Sequence, residues 1–402
     1  MEEMLAEIGC GRRAEPVVCS CGEHMNSVGV REKPLRTILG EMRFRRSLFI
    51  CPACGQARMP GDEMLDIENT SFSPGARRLM VHAGSRTSFI DAEEDLQLYA
   101  NLEVNRKDIE RVAEGVGESI DEWMKQQDAQ ALSQAGHISV EPMEKSIPVL
   151  YVAFDGTGIP MCRKDLEGRK GKGPDENAKT REVKLGCSFT QTTCDKNGWP
   201  IRDPDSTTYV GAIETSDCFG WRIYAEALRR GLDCAENVVV LTDGAIYNRS
   251  IVQMHFPEAI HIIDLYHARE HVCEMAKLLL PENKRKWHES KWLELLDKGE
   301  IEDLIERISP YTPRRGKKRK EALLGISYLR DNADRMRYAD FRSRGFFVGS
   351  GVIEAGCRTI IGQRLKKSGM FWSVAGANAI IAARCCFHSR RFDDFWEDRL
   401  AS

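Results

Sequence analysis

The 402-residue chain contains no uninterrupted apolar stretch approaching the roughly twenty residues needed to cross a bilayer. No N-terminal segment joins a positive start to an apolar run, so no export signal is expected and the protein reads as cytoplasmic. It also lacks a charge excess. With 58 Lys and Arg against 61 Asp and Glu, the formal net charge is -3, which argues against a binder that is basic throughout and leaves only local patches for an anionic partner. No internal repeat at a solenoid period and no long low-complexity segment is present, so a repeat array is not expected. The stretch "GRKGKG", residues 168 to 173, lacks the Gly-Lys-Ser/Thr ending of a nucleotide-binding loop and is expected to be a solvent loop between strands.

What is present suits a soluble globular protein. Apolar residues make up 42% and charged residues 30%, and the length exceeds what one core usually serves, so two or more domains are expected. Fourteen cysteines without an export signal point to reduced thiols and metal ligands more than to disulfides. In "VVCSCGEHM" and "RFRRSLFICPACG", Cys19, Cys21, Cys51 and Cys54 form two close pairs, suggesting a zinc-ribbon-like pair of knuckles around one Zn²⁺. Cys51 and Cys54 have the common two-residue gap. Cys19 and Cys21 are only one residue apart, which is tight for a tetrahedral site, so His24 stands as a substitute ligand for Cys19. The alternative is that the four are simply small buried residues.

From Ser73 to about Gln130 the pattern is helical. "SPGARRLMVHAG" opens with a Ser cap and a Pro at the first helical position, and "SFIDAEEDLQLYANL" and "NRKDIERVAEGVGESIDEWM" follow. The three fit a helix-turn-helix unit that binds DNA, or equally a plain helical bundle. After Pro142 strands take over: "SIPVLYVAFDG", "REVKLGCSFTQT", "TTYVGAIET", "NVVVLTDG" and "FPEAIHIIDLYHAREHV", with a helix at "FGWRIYAEALRRG". This order predicts an α/β domain with a ribonuclease H-like mixed sheet, in which the first strand lies beside the fourth. Residues 268–345 carry no strand signal and read as an all-helical insertion with a basic break at "PRRGKKRK". The expected divisions are 1–62, 63–142, 143–267, 268–345 and 346–402.

Asp155 and Asp243 each follow a buried strand and each precede a Gly; strand ends in such a sheet share a crevice, which can make them neighbours. Glu354 is the one carboxylate in "GSGVIEAGCRTIIGQRLKKSGMFW", residues 349 to 372. Each has a plainer reading: an Asp-Gly turn for the aspartates, and for Glu354 a first-turn acid paired with Arg358. Together they predict a carboxylate cluster that binds Mg²⁺ or Mn²⁺, with two ions serving both oxygens of a phosphodiester displacement. Arg358, Arg364, Lys366 and Lys367 would then hold the phosphate backbone.

"YVAFDGTGIP", "VVLTDGA", "IIDLYHAREH" and the 349–372 stretch together resemble the DDE transposases of bacterial insertion sequences, most closely the ISKra-type family. The resemblance implies a ribonuclease H-like catalytic domain with a helical insertion before the Glu, and Asp155, Asp243 and Glu354 as its triad. "DLYH" resembles a C/D-x-x-H signature, which would put Asp264 and His267 near the site, His267 in a supporting role or as a core residue. Trp372 would stack on an unpaired base or, more ordinarily, pack in the core. The implied partners are double-stranded DNA, both element ends and target, and further copies of the chain in a homodimer or larger assembly. A non-catalytic DNA-binding regulator and a metal-dependent nuclease or resolvase are the alternatives.

Overall fold

The computed structural model describes residues 16–135, 147–171 and 177–401, and the chain divides into two compact units, residues 1–119 with 393–402, and residues 120–392. That division falls inside the helix Arg106–Gln134. The boundary expected at 142/143 lies outside the described residues.

In the first unit β1 (Asn26–Thr37), β2 (Gly40–Ile50) and β3 (Ala57–Arg58) form an antiparallel sheet in that order. Gly40 turns the β1–β2 hairpin at φ +110°, a backbone conformation that glycine adopts without strain. Opposed residues share a face, so Leu35, paired with Met42, and Phe44, paired with Lys33, all lie on the side that packs with Ile67. Lys33 and Arg46 turn to that covered side as well and both reach Asp62, at 3.0 and 2.6 Å. Two of the six cations between residues 31 and 46 are thereby neutralised within the fold.

A short helix, Pro60–Met64, and three longer ones follow, Pro74–Arg86, Phe89–Ala100 and Arg106–Gln134. Ser73 Oγ accepts from Ala76 N at 3.2 Å and Ser88 Oγ from Asp91 N at 3.1 Å, the capping that the sequence suggested at Ser73. Asn105 Oδ1 accepts from Asp108 N at 2.9 Å. The third long helix runs for 29 residues, so the short final helix of a helix-turn-helix unit is not what the chain forms here. Its apolar stripe continues through Ile109, Val112, Val116, Ile120 and Met124, all buried, and nothing in the sequence stops it sooner.

The second unit is built on a five-stranded sheet of β4 (Ile147–Pro160), β5 (Thr180–Gln191), β8 (Thr208–Ala212), β9 (Ala235–Thr242) and β10 (Ile260–Ile263); β6 (Thr193–Cys194) and β7 (Pro200–Ile201) pair separately. The order β10-β9-β4-β5-β8 is mixed: β4, β9 and β10 run parallel, and β5 is antiparallel to both β4 and β8. The first strand does lie beside the fourth. Helices cover both faces, as alternation on β5 requires. A Cβ on Gly186 would meet Ile223 of the helix Ser216–Arg229 at 2.7 Å, while Leu185, pointing the other way, would lie 3.4 Å from a Cβ on Gly356 of the helix Gly351–Gly356.

Between β10 and residue 351 the regular elements are helical: Leu265–Leu279, Glu282–Lys298, Ile301–Ile308, Lys317–Asp331 and Tyr338–Ser343, with short 3₁₀ turns. They bury their own core, including Trp292, Leu296, Ile301, Leu304, Ile308 and Leu329. No helix among the described residues is long and apolar enough to cross a membrane.

Candidate carboxylate site and cysteine cluster

The β4–β9 register places the two aspartates. Ala153 of β4 pairs in parallel with Leu241 of β9, so Asp155 and Asp243 each follow the last paired residue by two positions on adjacent strands. The two are not equivalent. β9 ends at Thr242, so Asp243 opens a loop and accepts from Ala245 N at 3.0 Å and from the Asn248 amide. β4, expected to stop at Asp155, instead continues to Pro160 with Asp155 paired to Leu185. The Asp-Gly there is strand, not turn. At Gly156 a Cβ would lie 2.5 Å from Glu182 Oε1, the far end of a side chain that can move, and 3.1 Å from the Tyr247 hydroxyl.

Glu354 comes from the helix Gly351–Gly356 and accepts from Ser350 Oγ at 3.0 Å. It makes no ion pair with Arg358, against the plainer reading of the sequence. The helix opens into a π turn at Cys357–Gly362, which widens the turn beyond i+4 spacing. Glu354 is exposed, yet it acts on Asp155. Burial raises the Asp155 carboxyl above the usual range, the Gly156 N–H at 2.7 Å opposes this, and Asp243 and Glu354 add repulsion that His267 partly offsets. Cys357 is pushed up to about 12 by burial and by Asp155 and Glu354. Asp155, Asp243, Glu354 and His267 thus form one electrostatic neighbourhood, although the three acids do not all close within 4.8 Å of one another.

Asp264 has a role that the sequence pattern did not reveal. Its carboxylate, 2% exposed, caps the helix Leu265–Leu279 by accepting from His267 N at 2.6 Å and also accepts from Ser350 N. One buried acid therefore ties the start of that helix to the start of the Glu354 helix. His267 is exposed rather than a core residue, with Nδ1 3.9 Å from Glu270 Oε2. Behind it the His271 ring lies 4.3 Å from Tyr328, whose own ring fills the space where a Cβ on Gly244 would sit, at 2.1 Å. Tyr247 and Tyr328 both hold their protons above the usual phenol range, burial first and Asp243 among the further causes.

The four basic residues expected near Glu354 separate. Lys366 is exposed and donates to Thr157 Oγ1, two residues beyond Asp155 on β4; Arg358 is exposed and Lys367 half-buried. Arg364 is a correction: it is 0% exposed, its guanidinium 4.8 Å from the Trp372 ring centroid, so it cannot reach a phosphate backbone. Trp372 is buried too, donating to Leu365 O at 3.1 Å, which makes it core rather than a base-stacking platform. In the 168–173 stretch Lys170 bridges to Asn177, and residues 172 and 173 lie outside the described residues.

In the first unit the four cysteine Sγ atoms all lie within 4.8 Å of one another. Cys19 Sγ is 3.5 Å from Cys54 Sγ and Cys21 Sγ 3.5 Å from Cys51 Sγ. Each knuckle is shaped by its backbone: Gly22 N donates to Cys19 O and Gly55 N to Cys51 O, and both glycines have positive φ. The one-residue gap therefore closes without help from His24, which is exposed and outside the group. The Cys19 thiol is lowered to about 6, first by the Cys21 N–H and also by hydrogen bonds with its sulfur neighbours. Four thiols in this spacing suit a tetrahedral Zn²⁺.

The chain matches no family model and no curated protein. Among solved structures it is similar to the Drosophila P element transposase strand transfer complex, at 9% identity over 83% of this chain and 81% of that one, with a TM-score of 0.26. A TM-score of that size is below what a shared fold requires.

Proposed function

We propose that the protein is a metal-dependent DNA transposase of the DDE class on a ribonuclease H-like fold, cutting element ends and joining the freed 3′-hydroxyl to target DNA. The reading is carried by the parallel pairing of β4 with β9, which brings Asp155 and Asp243 to neighbouring strands, and it is supported by the raised Asp155 carboxyl, buried and repelled by both Asp243 and Glu354. Such repulsion costs stability unless a cation sits among the acids. The donor set is all carboxylate oxygen, which suits Mg²⁺ or Mn²⁺, and acids that bracket two ions stand wider than acids around one. When bound, the ions would activate the attacking water or 3′-hydroxyl and stabilise the departing oxygen. Asp155, Asp243 and Glu354 would hold them. Lys366, beside β4, and Arg358 would hold the neighbouring phosphates, and His267 would stand close to the scissile group. Zn²⁺ held by Cys19, Cys21, Cys51 and Cys54 would be structural, in a unit that contacts DNA.

The test is nicking of DNA bearing the element ends. Wild-type protein nicks and forms joined products only with Mg²⁺ or Mn²⁺. Asp155→Asn, Asp243→Asn and Glu354→Gln each lower the rate by more than about 100-fold, because loss of mere supporting partners already costs 10–100-fold. Undiminished cleavage by any of the three variants sinks the assignment, and cleavage without joined products reduces it to a nuclease.

A further inference from the structure

The segment Pro313 to Lys320, "PRRGKKRK", is left unexplained by the carboxylate site. Arg314, Arg315, Lys317, Lys318, Arg319 and Lys320 are all exposed. Lys317 has Glu321 at 3.8 Å and Arg319 donates to Pro313 O at 3.1 Å. Among the described residues Arg314, Arg315, Lys318 and Lys320 make no ion pair.

Helix stability does not account for these charges. Lys317 to Lys320 form the first turn of the helix Lys317–Asp331, and that turn contains no acid. That is the positive end of the helix dipole, where cations are unfavourable and acids would be favoured. Core packing does not account for them either, since the helix buries Ala322, Ile326 and Leu329 further on. A concentration of unpaired cations held against the dipole is a surface kept for an anionic partner.

The helix also packs next to the carboxylate site. Gly325 lets its backbone lie against the helix Leu265–Leu279, where a Cβ would be 2.6 Å from Met275 Sδ, and Tyr328 packs on Gly244, next to Asp243. From Lys318 to Tyr328 is about 15 Å along the axis, a distance covered by four or five base pairs.

We propose that the 314–320 segment is a phosphate-binding surface for the backbone of duplex DNA, engaging the same molecule as the carboxylate site. The inference rests on DNA being the substrate, as proposed above. Contacts of this kind are independent of sequence and release counterions, so each phosphate engaged contributes about 0.9 to the slope of log affinity against log salt.

The experiment measures binding of the full chain to a labelled 40-base-pair duplex of arbitrary sequence by fluorescence anisotropy across a salt series. The quadruple substitution Arg314→Gln, Arg315→Gln, Lys318→Gln and Lys320→Gln should lower the slope by about 2–4 units, and affinity at 150 mM salt by about tenfold or more. Circular dichroism checks that the variant is folded. An unchanged slope overturns the proposal, even if affinity falls. A variant that loses binding to poly-glutamate but not to duplex also overturns it, in favour of an acidic polypeptide partner. Failure of the unsubstituted chain to nick DNA, alongside a lowered slope in the quadruple variant, would count against the carboxylate reading alone.

Discussion

Asp155 is held above the usual carboxyl range at the candidate site, and it answers to pH. Its folded value is raised, burial first and its acidic neighbours after. A carboxyl raised in this way stabilises the fold below its unfolded value of about 3.9, and that contribution is lost as pH rises through the raised value. At pH 7.5, without divalent ions, the ionised group is therefore a liability. Asp155→Asn should melt about 1–3 °C above wild type there, the gain fading toward pH 4 as the wild-type carboxyl takes its proton. A thermal-shift series in pH and Mg²⁺ reads this directly: Mg²⁺ should raise the melting temperature of wild type and leave the Asn variant unmoved. An Asn variant that melts lower at pH 7.5 would mean that Asp155 makes a stabilising contact stronger than the repulsion. The identity of this residue was readable from its place after an apolar run, but its environment was not. Arg364 is the converse case, since an arginine among lysines reads as surface and only tertiary packing turns it onto Trp372.

Among elements, the strands were the most legible part of the chain, because buried parallel strands leave continuous apolar runs. The extension of β4 through Asp155 and Gly156 was hidden by an Asp-Gly pair, which ordinarily marks a turn. The π turn at Cys357–Gly362 leaves no pattern at all, since it depends on what the helix packs against. Asp264 was placed near the site, but its clasp between two helix starts needed the backbone of Ser350, remote in sequence. The seating of the helix Lys317–Asp331 on the strand end yields a prediction. Gly244→Ala would put a methyl 2.1 Å from the Tyr328 ring carbon Cε2, forcing the loop of Asp243 or the helix aside. Overpacking of this kind costs about 1–3 kcal/mol. Denaturant melts should show that loss in Gly244→Ala and a smaller one in Gly244→Ala combined with Tyr328→Leu, whose side chain can yield. Equal losses in the two backgrounds would place the damage in the backbone of residue 244 instead.

At the scale of the whole molecule, two donor chemistries are sorted into two compact units: four thiols in one, carboxylates in the other. Metal specificity follows donor type, soft thiolate for Zn²⁺ and carboxylate oxygen for Mg²⁺, so each ion should stabilise the unit that holds its ligands. Hydrogen exchange followed by mass spectrometry can test this across the full chain. Removing zinc with a high-affinity chelator should release amide protection around Cys19–Gly22 and Cys51–Gln56, where the knuckle backbone bonds depend on the sulfurs being held together. Protection in β4, β5 and β9 should stay. Mg²⁺ added to the chelated protein should raise protection near Asp155, Asp243 and Glu354 and leave the knuckles open. Cys51→Ser should reproduce the chelated pattern without chelator, and His24→Ala should not, since the histidine stands outside the thiol group. If zinc removal instead loosens the five-stranded sheet, the thiols are supporting the fold far beyond their own knuckles. If Mg²⁺ protects nothing in the second unit, the acids hold no ion there, and their repulsion would require another explanation.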